Sequence, residues 1–103
     1  METHPAKRIE IIIEAPLARR LTDALTEAGV PGYTVLPVLG GYGQSGRWTR
    51  DGQVSAASGM VAVVAVVSED KVEGLLDASF AMVERHIGIV SVSDVSVVRP
   101  ERF

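Results

Sequence analysis

Residues 40–58 carry the groups best suited to chemistry. The run Gly40-Gly41-Tyr42-Gly43-Gln44-Ser45-Gly46-Arg47-Trp48-Thr49-Arg50-Asp51-Gly52, continuing to Ser58, holds five glycines, two arginines and the only tryptophan, with no proline. Glycine lets backbone amides approach a ligand closely, and arginine presents a planar donor fork to an anion. Connections in compact domains usually run about 4–6 residues, and structureless ones beyond about 12–15 are commonly functional or disordered. The run therefore predicts a mobile, anion-sensing loop on a small rigid scaffold.

Gly41 to Gly46 matches G-x-G-x-x-G and follows an expected strand. A dinucleotide fingerprint must also open a helix within a parallel βαβ unit. Arg47 to Gly52 has no apolar periodicity, which disfavours a Rossmann site. Two readings stay open: a nest of backbone N–H groups that holds phosphate, or a flexible glycine loop with no ligand. Arg47 and Arg50 are either solvated charges or anion ligands. Trp48 either packs back on the body or serves a partner, where tryptophan is favoured. His86 has no serine or carboxylate at a readable spacing and reads as lining a loop or an interface rather than as a base. Glu10, Glu14 and Asp94 read as surface or sheet-edge charges, so no catalytic constellation stands out.

The elements that must position these residues follow from composition and pattern. The chain has 103 residues, 47% apolar and 22% charged, which suits one globular domain over 1–103. It contains no cysteine, so thiolate catalysis, disulfides and cysteine-bound metal are excluded. With only His4 and His86 available, no metal site is expected. A net charge of −3 argues against nucleic acid. The longest apolar run, Met60 to Val67, has eight residues against the roughly 20 needed to span a bilayer. Met1 to Pro5 lacks the basic and apolar regions of a signal peptide, which points to a cytoplasmic protein.

Lys7 to Glu14 predicts a strand with Ile9, Ile11 and Ile13 on one face and Ile12 on the other. Pro16 suits a helix start; Leu17, Leu21, Leu25 and Ala28 give its apolar spacing, and Gly29 and Pro31 its stop. Tyr33 to Leu39 predicts a second strand, at an edge or bulged because of Pro37. Met60 to Val67 is a third, and Ser68 an N-cap for a helix burying Val72, Leu75, Leu76, Phe80 and Val83. A short connection, Arg85 to Gly88, leads to a last strand from Ile89 to Val98. The order βαββαβ, with right-handed crossovers, predicts an α+β ferredoxin-like fold: a four-stranded antiparallel sheet with both helices on one face. Val61 to Val67 has no polar residue on either face, so a further subunit is expected to cover the open side.

With that order and the long loop after strand two, the chain resembles the PII signalling superfamily over nearly its whole length. Arg8 to Ile13 resembles the family's first strand, and Ala24 to Val35 its helix end and the G-[IV]-x-G-x-T-V entry into strand two. Gly41-Tyr42-Gly43-Gln44 resembles the start of the T-loop, placed at 40–58. Val54 to Met60 lacks the lysine expected after that loop, no tyrosine lies near its apex, and the B-loop at 85–88 lacks its lysines. The Gly-x-Gly-x3-Arg spacing from Gly41 to Arg47 instead resembles the PII-like proteins linked to bicarbonate uptake and carboxysomes.

The resemblance implies a homotrimer with adenine nucleotides in clefts between subunits. It implies that Ile12, Thr34 and Val66 line the base and ribose pocket, and that Gly40, Gly41, Gly43 and Gln44 contact phosphate. His86, Ile87 and Gly88 would close the cleft, Arg47 would add a phosphate ligand, and Arg99 and Arg102, in the tail 99–103, would reach phosphate from the last strand. ADP or AMP is expected over ATP. Bicarbonate, as a small planar anion, would suit Gly41, Tyr42, Gly43, Arg47 and Arg50. The implied protein is a non-enzymatic sensor without a resident cofactor, whose T-loop meets a protein partner such as a bicarbonate transporter or carboxysome component. Ordering all 19 loop residues would cost on the order of 20–40 kcal/mol, so a small ligand is expected to order only the base. A slow nucleotide phosphatase and a purely structural ferredoxin-like trimer are the alternatives.

Overall fold

The computed structural model describes residues 1–43, 46–49 and 59–99. Strand β1 spans His4–Glu14, α1 Ala18–Glu27, β2 Thr34–Val38, β3 Gly40–Gly43, β4 Gly46–Thr49, β5 Met60–Val67, α2 Val72–Val83 and β6 Gly88–Val97. The main sheet is antiparallel in the order β2-β5-β1-β6, and β3 pairs with β4 in a separate ribbon. The ferredoxin-like expectation holds, with both helices on one face. Proline cannot donate to a central ladder, and Pro37 accordingly lies on an edge strand.

Side chains alternate across a strand, so β1 sends Ile9, Ile11 and Ile13 toward the helices. They join Val63, Ala65 and Val67 of β5, Leu21 and Leu25 of α1, and Leu75 and Val83 of α2 in one buried cluster. β1 begins at His4, three residues before the expected Lys7, because β6 continues to pair with it as far as Val97. Next to this extension Lys7 is hydrogen-bonded to Asp94, which, with Glu69 nearby, raises the lysine pKa above its ordinary 10.5.

The expected α1 stop is present in full. Gly29 adopts φ +92°, its N–H donates to Thr26, and the Val30 N–H donates to Leu25 at 3.1 Å. This is a Schellman closure, with Val30 and Leu25 supplying its apolar contact. Ala28, expected on the apolar stripe, is exposed because the helix has already ended and Val30 takes the inward place. The Lys71 ammonium donates to the Gly29 carbonyl at 3.1 Å and so ties the start of α2 to the end of α1.

Two expectations for α2 fail. Phe80 is 60% exposed, whereas Ser79 is fully buried, because Leu75, Ser79 and Val83 stand at successive i+4 positions. The Ser79 hydroxyl is satisfied by donating to the Leu75 carbonyl at 2.8 Å. Ser68 makes no side-chain cap to the helix; a 3-10 turn, Glu69–Lys71, intervenes, and Ser68 hydrogen-bonds Asp70 instead, which holds that carboxyl below its usual range.

The long connection is also not uniform. Its first part forms the β3–β4 hairpin, with Gly40 opposite Thr49, Gly41 opposite Trp48, Tyr42 opposite Arg47 and Gly43 opposite Gly46. The Ala15 N–H, just after β1, donates to the Gly59 carbonyl at 2.8 Å, where the chain re-enters the sheet. Among the described residues, no helix is long and apolar enough to cross a membrane.

Two glycines make opposite demands. A Cβ on Gly88 would lie 2.8 Å from the Ile12 carbonyl oxygen and 3.3 Å from Val83 Cγ1, whereas one on Gly74 meets nothing within 4 Å. Gly88→Ala is expected to cost about 1–3 kcal/mol, because the atom it meets is backbone. Gly74→Ala, inside α2, is expected to stabilise by about 0.5–1 kcal/mol. Thermal unfolding of the two variants should therefore move in opposite directions; a Gly88→Ala protein as stable as wild type contradicts the packing argument.

Candidate functional site

Cross-strand partners share a face, so the register locates the candidate residues without ambiguity. Ile12 pairs with Ala62 on one side and Ile89 on the other, and Ala62 pairs with Leu36. Leu36, Ala62, Ile12 and Ile89 thus form an apolar row across the face away from the helices, with Leu36 44% and Ile89 61% exposed. Thr34 and Val66 lie on the same face, Thr34 opposite Val64 and Val66 opposite Arg8. Arg8 is held there by Glu10 at 2.9 Å. The three residues expected to line a base pocket therefore share one sheet face.

The backbone turns at the end of α2 to reach β6. The His86 N–H donates to the Val83 carbonyl at 3.0 Å, and Gly88 pairs with Ile13. The His86 side chain and Ile87 are exposed, Ile87 at 68%. Gly88 is a packing requirement as well as a candidate ligand contact, since only a residue without Cβ fits over Ile12 and Val83. No described carboxylate pairs with His86, and the described residues contain no cluster able to hold a metal ion.

The hairpin leaves the sheet from the same end as Gly88, because Pro37, Val61, Ile13 and Gly88 are aligned by pairing. The two segments sit at opposite edges, however. Three strand spacings separate β2 from β6, about 14 Å. Gly40 and Gly41 are exposed, and a strand built of Gly40, Gly41 and Gly43 leaves its backbone open to an incoming anion. Tyr42 beside them is 85% exposed. Arg47 stands opposite Tyr42 in the pairing. Gln44, Arg50 and Arg102 lie outside the described residues.

Arg99 lies at the far end. β6 runs ten residues away from Gly88, about 30 Å, before Arg99 follows it. One chain therefore brings Ile12 close to Ile87 and Gly88, but keeps Arg99 remote from them. Of this row, the sequence pattern points to Ile12 but not to Leu36 or Ile89, which complete it. Only the strand register, absent from a linear pattern, could reveal them.

The family model for nitrogen regulatory protein P-II matches residues 6–102. Among solved structures, a nitrogen regulatory PII-like protein, CPII, from Thiomonas intermedia, bound to ADP, AMP and bicarbonate, is 34% identical with a TM-score of 0.91, over 99% of this chain and 96% of that one. Its apo form aligns at 32% identity and a TM-score of 0.75, over 96% and 98% of the two chains. A PII-like signalling protein from Thermus thermophilus aligns at 27% identity and a TM-score of 0.81, over 100% and 99%. No curated protein matches the chain.

Proposed function

The chain belongs to the nitrogen regulatory protein P-II family, and from that premise we propose a signalling protein that binds ADP or AMP in clefts between three copies of itself, with bicarbonate beside the nucleotide. Nucleotide orders the base of the loop at 40–58, and the loop then engages or releases a protein partner in carbon uptake. The chain acts as one domain and performs no turnover of its own. The CPII structure of Thiomonas intermedia holding ADP, AMP and bicarbonate supports this choice of ligands.

One observation carries the reading: Gly88 and Arg99, which we assign to one site, stand about 30 Å apart in one chain. Ile12, Ile87 and Gly88 at one end need the Arg99 of another copy. The apolar row, exposed at Leu36 and Ile89, supports such an assembly, since fully burying a Leu or Ile side chain is worth about 1.5–3 kcal/mol. Ile12, Thr34 and Val66 would then face base and ribose, and the amides of Gly40, Gly41 and Gly43 would meet phosphate with Gln44. Arg47 and Arg99, joined by Arg102, supply the cations. Ile87 and Gly88 carry no lysine for a third phosphate, which favours ADP or AMP over ATP. Bicarbonate fits the same hairpin at Gly41 to Gly43, with Arg47 and Arg50 as its donors.

Calorimetry should find ADP binding tighter than ATP, and Arg47→Ala weakening ADP about 10–100-fold, the worth of one charge-assisted hydrogen bond. Exchanging chloride for bicarbonate at fixed ionic strength should tighten ADP by about 5–150-fold. Superimposed curves sink the bicarbonate assignment alone; an ATP preference or an inert Arg47→Ala sinks the phosphate assignments.

Light scattering should give three chain masses for the wild type. Ile89→Glu places a charge on a position already exposed in one chain, so it should leave the circular dichroism intact and shift the mass to one chain. A trimeric Ile89→Glu protein, or a monomeric wild type, would show that the open face is not the interface.

A further inference from the structure

At the end of the molecule where the helices meet the His86 turn lies an open hollow of about 600 Å³, bounded by Arg20, Ala81, Met82, Glu84, Arg85 and His86. That volume is within the roughly 300–1,000 Å³ of small-molecule sites. Its chemistry is lopsided: two arginines and a histidine line it against one carboxylate residue, with Ala81 and Met82 as its apolar members. Arg85 and His86 follow α2, where the negative end of the helix dipole favours cations, so their presence alone asks for no ligand.

Arg20 is different. α1 opens with Ala18, Arg19 and Arg20 and has no acidic residue in its first turn. The positive end of a helix disfavours cations there, by a few tenths to about 1 kcal/mol each. Arg19 is relieved by Asp23, one turn on at 3.6 Å. Arg20 has no ion pair among the described residues and borders the hollow instead. Two arginines, one in the first turn of α1 and one in the turn after α2, neither ion-paired among the described residues, border the same hollow at the positive end of α1. Sequences break a local rule of this kind mostly where function repays it.

We propose that this hollow is a second anion site, separate from the nucleotide cleft, for a phosphate-bearing small molecule. A phosphate dianion offers several acceptors to Arg20, Arg85 and His86 together, and Ala81 and Met82 would meet an apolar body. The site lies on the helical layer, whereas the residues assigned to base and ribose lie on the opposite face of the sheet. His86 is common to both, so Arg20 is the discriminating residue.

The test is a titration with inorganic phosphate, against chloride at equal ionic strength, followed by the side-chain N–H signals of Arg20 and Arg85. It is run on nucleotide-free protein and again with ADP present in excess. Saturable shifts of both signals are expected in both runs, with Arg20→Ala and the milder Arg20→Gln weakening phosphate about 10-fold or more and leaving ADP affinity unchanged. Arg20 is exposed, so neither variant removes core packing. Non-saturating shifts, or phosphate affinity indifferent to Arg20, overturn the site. Loss of the shifts when ADP is added, or a weakened ADP affinity in the Arg20 variants, overturns its separateness and makes the hollow part of the nucleotide cleft. Because the nucleotide-free run reads the hollow by itself, failure of ADP to bind at all is distinguished from failure of this proposal.

Discussion

β1 lies between β5 and β6, and its register with both decides what every other part of the molecule can do. With Ile13 opposite Val61 on one side and Gly88 on the other, Ile9, Ile11 and Ile13 must point under the helices and Ile12 must point away. A slip of one residue would exchange the two sets and drive Arg8 and Glu10 into the core. The helices have one place to sit, over Ile9 to Ile13, and the opposite face is left with Leu36, Ala62, Ile12 and Ile89 in line.

The same register sets what the two ends of the molecule can hold. It brings the entry to the hairpin, the return at Gly59 and the turn at His86 to one end, and carries β6 to the other, where Arg99 follows. Gly88 keeps α2 close against the sheet at the first of these ends, because its missing Cβ lets β6 start directly beneath Val83. Lys71 does a related task at the other end of α2 by holding the Gly29 carbonyl just past α1. Gly40 and Gly41 thus stand near one end of the sheet and Arg99 near the other, the separation on which the proposed site between copies rests.

Much of this was legible in the chain. Met60–Val67 is bounded as its β-branched run predicts, Gly29 stops α1, and Pro37 marks an edge. Local rules decided those elements, so local reading sufficed. Phe80, expected inward for its hydrophobicity, is exposed because helical phase prevails; the phase set by Leu75 and Val83 places Ser79 inward, and its hydroxyl bonds to its own helix. The hairpin from Gly40 to Thr49 was hidden by its glycines, which carry no strand preference and pair only through backbone. For the site, Ile12 was visible as an apolar residue on the wrong face of β1. Its neighbours Leu36 and Ile89 were not, since strands far apart in sequence supply them. Arg20 and Arg85 are 65 positions apart and line one hollow only because α1 and α2 are antiparallel neighbours.

The central claim is that a complete nucleotide site takes Arg47 from one copy and Arg99 from the next. It is tested most directly by making mixed oligomers of Arg47→Ala and Arg99→Ala chains and counting high-affinity ADP sites by calorimetry. Each variant alone should have none. In a closed ring with head-to-tail contacts, random mixing should restore wild-type affinity at roughly a quarter of the sites, where an intact Arg47 meets an intact Arg99. A mixture that binds no better than either parent would contradict the account, as would an Arg99→Ala protein that binds ADP like the wild type.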